Sequence, residues 1–264
     1  MDELASATAA NTGGPRTDRR ALLLGLAAAP LALTSCATNT ETGRSQFIII
    51  DDAQLEQASL QAWGQMRQQV PAWSNASAQR RLEGVGSRIV NAAGRGNQNW
   101  EFVLFDTNEL NAFVLPGGKV GFYRGLYQIC ERDDWMATVL GHETGHVTGR
   151  HAAERYSREA ATQTALQVAG SQINSQLAMA ALGLGAQVGL SLPFSREQES
   201  EADILGIQYM QRAGYDPKQA IPFWQRMAQG GGSRPPELLS THPDPANRIQ
   251  HIRDYINAQG WGPV

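Results

Sequence analysis

His142-Glu143-Thr144-Gly145-His146 decides how this chain is read. It lies in a run from Asp133 to Tyr156 that reads as a helix, with Asp133 or Asp134 available to cap it. Two residues four apart on a helix project from one face, about 6 Å apart along the axis. That separation lets both imidazoles reach one zinc ion at about 2.0–2.1 Å. Glu143 is turned about 100° from His142, so it stands beside such a metal, where it can take a proton from the attacking water. The metal-free alternative makes His142 and His146 surface residues of an amphipathic helix, and the pattern alone does not exclude it.

Support comes from Glu199-Ser200-Glu201-Ala202-Asp203, in a second helical stretch from Arg196 to Arg212. A catalytic zinc takes three protein ligands and keeps a fourth position open. Glu199 can be the third ligand. Asp203, one turn on and on the same face, can hydrogen-bond the outer nitrogen of a zinc-bound His and fix its tautomer. Glu201 points elsewhere. Gly149 stands where a metzincin pattern needs glycine, but the third His of that pattern would fall on Ala152. His151 is one residue short and on another face, so it reads as a surface residue or one behind the site.

These residues resemble the gluzincin peptidases of the HtpX, BepA and LoiP type. The likeness also covers Asn111-Ala112-Phe113-Val114-Leu115-Pro116-Gly117-Gly118, the run Ser240-Thr241-His242-Pro243 with Arg248, and the opening stretch Asn39 to Ile50. It spans about residues 40 to 258. Thr144 and Gly149 depart from the pattern without removing a ligand. The chain lacks the long membrane segments of HtpX and the helical repeats of BepA, so the lipoprotein form is the nearest match. The resemblance implies an endopeptidase with one zinc ion, acting in quality control on misfolded or unassembled envelope proteins. It implies that His242 faces the site, either steadying the oxyanion or capping zinc at rest; the plain alternative is a capping His before Pro243. Arg248 reads as an ion-pair partner. The competing function is a non-catalytic, chaperone-like zinc lipoprotein, against which an intact Glu143 argues.

The fold expected is α+β: a mainly helical, zincin-like domain with a small antiparallel sheet. Residues 52–69 and 77–93 have helical spacing. Trp100 to Phe105, Ala112 to Leu115 and Lys119 to Tyr123 read as strands, with Pro116-Gly117-Gly118 as a turn. The strand begun by Asn111, Ala112 and Phe113 is either an edge on which an extended substrate can pair, or wholly internal. Gly141, Gly145 and Gly149 form a smooth stripe, which predicts close packing of another element. Asp216-Pro217 opens a further helix, Gly230 to Pro236 is a loop, and a last helix covers about 244–258. Ala178 to Phe194 is apolar and glycine-containing, and reads as a lid over the cleft.

Residues 1–35 read as an export signal: a polar leader ending in Arg19-Arg20, then an apolar run from Ala21 to Ala32 too short to span a bilayer. Leu33-Thr34-Ser35-Cys36 resembles a bacterial lipobox, which implies lipidation of Cys36 and anchoring at the outer membrane, facing the periplasm. The leader also resembles a twin-arginine signal. Residues 36–46 read as the lipidated Cys and a tether, and 47–264 as the metallopeptidase domain. Only two cysteines are present among 264 residues, so no disulfide framework supports the fold. A net charge of −3 gives no basic field for nucleic acid.

Overall fold

The computed structural model describes residues 36–168, 194–229, 237–242 and 245–262. The expected export signal, and the expected lid apart from Phe194, lie outside the described residues. Two short strands open the described chain, β1 (Cys36–Thr38) and β2 (Ser45–Phe47), and pair with each other. Helix α1 (Asp52–Gln69) is capped by Asp51, whose side chain accepts from the Ala53 amide; α2 (Ala76–Ala92) is capped in the same way by Asn75. Leu82, Val85, Ile89 and Val90 form the buried stripe of α2, the i, i+3, i+4 spacing of a helix against a core.

Three strands follow: β3 (Glu101–Phe105), β4 (Ala112–Leu115) and β5 (Lys119–Tyr123). Their order is β3-β5-β4. The turn after β4 makes β4 and β5 antiparallel, with Gly117 and Gly118 at φ 85° and 74°, where a side chain would be strained. β3 runs parallel to β5, so the sheet is mixed where the sequence suggested antiparallel pairing throughout. Gly121, in the middle of β5, pairs with Val103 on one side and Phe113 on the other. Its missing Cβ leaves room for the rings of Phe105 and Phe113, which stack across the central strand with centroids 6.4 Å apart. Alternation along the strands then splits the core. Val103, Phe105, Phe113 and Leu115 pack with Trp63 of α1, while Leu104, Ala112, Val120 and Phe122 join the main helical core.

After α3 (Arg124–Ile129) comes α4 (Asp133–Thr148), which carries the two motif histidines and is buried from Met136 through His146. It does not run to Tyr156. Gly149 closes it, Arg150 turns left-handed at φ 52°, and α5 (His151–Val168) starts at once. Arg132 occupies the cap position without a side-chain bond, and Asp133 and Asp134 fall in the first turn. Helix α6 (Arg196–Arg212) begins with a capping box between Ser195 and Gln198. It lies against the glycine stripe of α4. A Cβ on Gly145 would come within 2.7 Å of the Ala202 carbonyl oxygen, and one on Gly141 within 2.9 Å of that of Gly206. Asp216 caps a 3-10 turn at Pro217–Gln219 that leads into α7 (Ala220–Gln229); α8 (Glu237–Thr241) and α9 (Pro245–Ala258) complete the domain. No helix among the described residues is long and apolar enough to cross a membrane.

One boundary moves. Residues 39–46, expected as part of a tether, dock on the domain. Asn39 and Gln46 are buried, their amides donating to the carbonyls of Thr148 and Gly149 at the α4–α5 break.

Candidate metal centre

Close packing of α4 on α6 is what brings the two motifs together. With both glycines bare, the backbones approach until Glu199 lies across from His142 and His146. The helix α8 adds His242, whose amide donates to Leu238 at 2.9 Å. All four side chains are buried.

Their donor atoms define a tetrahedron. His142 Nε2 lies 3.0 Å from His146 Nε2, 3.1 Å from His242 Nδ1 and 3.5 Å from Glu199 Oε2. His146 Nε2 lies 3.3 Å from His242 Nδ1 and 3.4 Å from Glu199 Oε1, and His242 Nδ1 lies 3.0 Å from Glu199 Oε1. A tetrahedral ion with ligands at about 2.0–2.1 Å requires edges of roughly 3.3–3.4 Å. Five edges, built on Glu199 Oε1, lie between 3.0 and 3.4 Å, near that requirement, while His142 approaches the other carboxylate oxygen. Burial holds His142, His146 and His242 well below the ordinary imidazole range or lowered from it, with neighbouring positive groups adding to the effect on the first two. Neutral imidazoles keep the lone pairs that a metal needs.

Charge fits as well. Arg248 donates from Nε to Asp203 Oδ2 at 2.8 Å and also to Glu199 Oε2, and its guanidinium lies 4.1 Å from the Trp224 ring centre. Two buried carboxylates share one guanidinium, which leaves a negative charge for a cation to offset. Asp203 Oδ1 also takes a hydrogen bond from His142 Nδ1 at 2.8 Å, one turn from Glu199 as the spacing predicts. Three imidazoles and a carboxylate, buried and neutral overall once a dication is shared with Glu143, make a zinc set rather than a calcium or magnesium one.

Glu143 stands beside the four donors. Burial pushes its carboxyl up to about 7, while the His242 and Arg248 charges and a hydrogen bond from the Val114 amide pull it down. Its Oε1 has no hydrogen-bond partner among the described residues and lies 3.5 Å from His242 Nε2. Val114 belongs to β4, which pairs only with β5 among the described strands and is therefore a sheet edge. Asn111 and Leu115 give their carbonyls to the β5 side, through Tyr123 and the turn at Gly118. Backbone groups alternate along a strand, so Ala112 and Val114 direct theirs to the free edge. Thr144 settles its hydroxyl on the Leu140 carbonyl at 2.7 Å, so this departure from the family pattern disturbs nothing.

Residues 76–256, more than half the chain, match Peptidase family M48. The chain belongs to peptidase family M48. The family is one of peptidases, and the four buried donors stand where a metal ion could bind. Among curated relatives, the chain is 37% identical over 176 residues to mitochondrial metalloendopeptidase OMA1 of Schizosaccharomyces pombe, covering 65% of this chain and 51% of that one. It is 34% identical over 204 residues to the beta-barrel assembly-enhancing protease of Yersinia pestis, covering 73% and 42%. The M48 chain thus spans about half the length of the curated relatives it matches.

Sequence reasoning foresaw the neighbours of the site only in part. Phe194 stacks on His146 with centroids 3.8 Å apart and on His242 at 5.3 Å, and its amide donates to the Thr241 carbonyl. His151, read as a surface residue or one behind the site, is wholly buried against His146. Glu201, set aside for pointing elsewhere, is bonded to His151. The glycine at 149 was the available signal: a Cβ there would strike the His151 ring.

Proposed function

We propose that this chain is a zinc endopeptidase of the bacterial envelope that cleaves misfolded or unassembled envelope proteins, with His142, His146 and Glu199 as permanent ligands and Glu143 as general base. The observation that carries the reading is the buried donor set with one unpartnered carboxylate oxygen, Glu143 Oε1, beside it. Zinc there supplies Lewis acidity to the scissile carbonyl and to a water. The protein residues do the rest. Glu143 removes a proton from the attacking water and passes it to the leaving amine. Burial, which raises its carboxyl, favours its taking up a proton. Asp203 holds His142 in the tautomer that presents Nε2 inward.

The substrate backbone adds to the free edge of β4 through the backbone of Ala112 and the carbonyl of Val114, whose amide already serves Glu143, on the strand that Asn111, Ala112 and Phe113 begin. A cavity of about 380 Å³ beside it, walled by Val114, Pro116, His146, Arg155 and Phe194, receives a side chain. His242 occupies the fourth corner of the donor set, the position catalysis requires open. In this reading it caps zinc at rest, moves aside for substrate and can then steady the oxyanion with Nε2.

The beta-barrel assembly-enhancing protease relatives support an envelope setting. Supporting a lipid anchor at the outer membrane, the leader, short apolar run and Cys36 occur in the order an export signal needs. The competing reading is a chaperone-like zinc lipoprotein. It leaves the buried, unpartnered Oε1 of Glu143 without a purpose. Cleavage of unfolded casein, abolished by chelation and restored by zinc, tests the first reading; binding without cleavage would favour the second. Mass spectrometry of the mature N-terminus tests the anchor. Cys36→Ser is expected to release the chain from membranes, and an unprocessed, soluble wild-type chain would refute it.

A further inference from the structure

His142 and His146 enter the donor set from the same face of α4, yet they are backed differently. His142 gives its outer proton straight to a carboxylate, Asp203. Behind His146 stands another imidazole: His151 Nδ1 lies 2.8 Å from His146 Nδ1. On its far side His151 Nε2 lies 3.1 Å from Glu201 Oε2. Glu201 in turn accepts from Arg44 Nε at 2.6 Å and from the Thr42 hydroxyl. Arg44 also makes a bidentate pair with Glu154, at 3.0 and 2.7 Å.

We propose that His151 is the positioning residue for His146, and that Arg44, through Glu201, anchors this relay, so that the N-terminal segment 39–47 helps to set the zinc affinity of the centre. The inference rests on the zinc reading above. Proton bookkeeping leaves one arrangement. His146 uses its Nε2 lone pair toward the metal, so its proton sits on Nδ1 and is donated. His151 must then accept at Nδ1, which places its own proton on Nε2, facing Glu201. A carboxylate at the end of the relay fixes both tautomers.

The backbone is shaped for this arrangement. His151 could not reach under His146 from an unbroken helix, because it would lie on another face. The break at Gly149 and Arg150 rotates it inward. Arg150 accepts a left-handed φ of 52°, unfavourable for a residue with a side chain. Gly149 lacks the Cβ that would collide with the His151 ring. Local strain and a bare backbone at adjacent positions, both serving one buried ring, mark a constrained contact rather than incidental packing. The N-terminal segment closes the relay from outside: Gln46 donates to the Gly149 carbonyl at 2.6 Å, and Asn39 to that of Thr148 at 3.3 Å.

The test uses the full chain, with zinc affinity read by competition against a chelating dye and geometry read from the visible spectrum of the cobalt-substituted protein. His151→Leu keeps bulk and removes the acceptor. It is expected to weaken zinc binding about 10–100-fold and to shift the cobalt bands. His151→Asn, whose amide oxygen can fall near the Nδ1 position, is expected to recover most of that loss. Arg44→Ala is expected to weaken binding several-fold while the far-UV spectrum stays unchanged. Wild-type zinc affinity and cobalt bands in folded His151→Leu would overturn the proposal, as would a His151→Asn chain no better than His151→Leu. If His151→Leu does not fold, Glu201→Ala and Arg44→Ala carry the test, and wild-type affinity in both overturns it. A wild-type chain that binds no zinc would instead defeat the peptidase reading itself.

Discussion

Glu143 and Glu199 are both buried glutamates within reach of the same histidines, yet their expected losses differ. Glu143→Gln should keep zinc, because its carboxylate is no corner of the tetrahedron, and should lose casein cleavage by about 10²–10⁴-fold. Glu199→Ala should lose the metal as well, and leave Arg248 with one carboxylate in place of two. Elemental analysis beside activity separates the two outcomes, and equal zinc loss in both would undo the assignment. His242→Ala opens the fourth corner. It is expected to raise basal cleavage of a fluorogenic peptide; loss of cleavage with zinc retained would make oxyanion support its main role. At this scale the sequence was most readable where chemistry obeys helix periodicity, at His142, His146, Glu199 and Asp203. His242 was reached only through resemblance, since nothing local links it to residues 100 positions away. The sequence leaves His151 between the surface and a place behind the site, because its pattern continues the helix through a left-handed residue, and the structure puts it behind.

Among the elements, the helices were largely legible and the strand order was not. Apolar spacing marks α2 and its buried stripe, whereas β3, β4 and β5 are all apolar and look alike. Their order rests on contacts made only after folding, such as Phe105 stacking on Phe113 over Gly121. The pair β1 and β2 was hidden for a related reason. Its stretch is small and polar, and its docking depends on charges far along the chain. Glu154, on α5, offers a measure of that docking. Burial opposes ionisation of its carboxyl, but hydrogen bonds from Arg44 and Gln198 and the charges of Arg44 and Arg158 outweigh it, holding the group down at about 2. The folded pKa lies below the ordinary 4.5, so the stabilisation is complete above about pH 4.5 and is lost as pH falls toward 2. Urea melts of wild type and Glu154→Gln should therefore converge across that window. A constant gap between them down to pH 2 would contradict the pairing.

For the molecule as a whole, the metal is expected to be a large part of stability. Four buried donors pressed to 3.0–3.5 Å of one another are poorly placed without a cation between them. With free zinc about 1,000-fold above its dissociation constant, mass action contributes about 4 kcal/mol. For a domain of this size that is roughly 8–16 °C in Tm. Scanning calorimetry before and after chelation checks it, and an unchanged Tm would show that the cluster is satisfied without metal. The spread of the donors has another consequence, in time. His142 and His242 are separated by 100 positions, and Arg248, which secures Glu199 and Asp203, lies in the last helix. Synthesis must therefore pass residue 248 before these groups can come together. A nascent chain that has emerged only as far as the HExxH helix presents two of the four donors, so metal capture by the full set is expected to wait for residue 242.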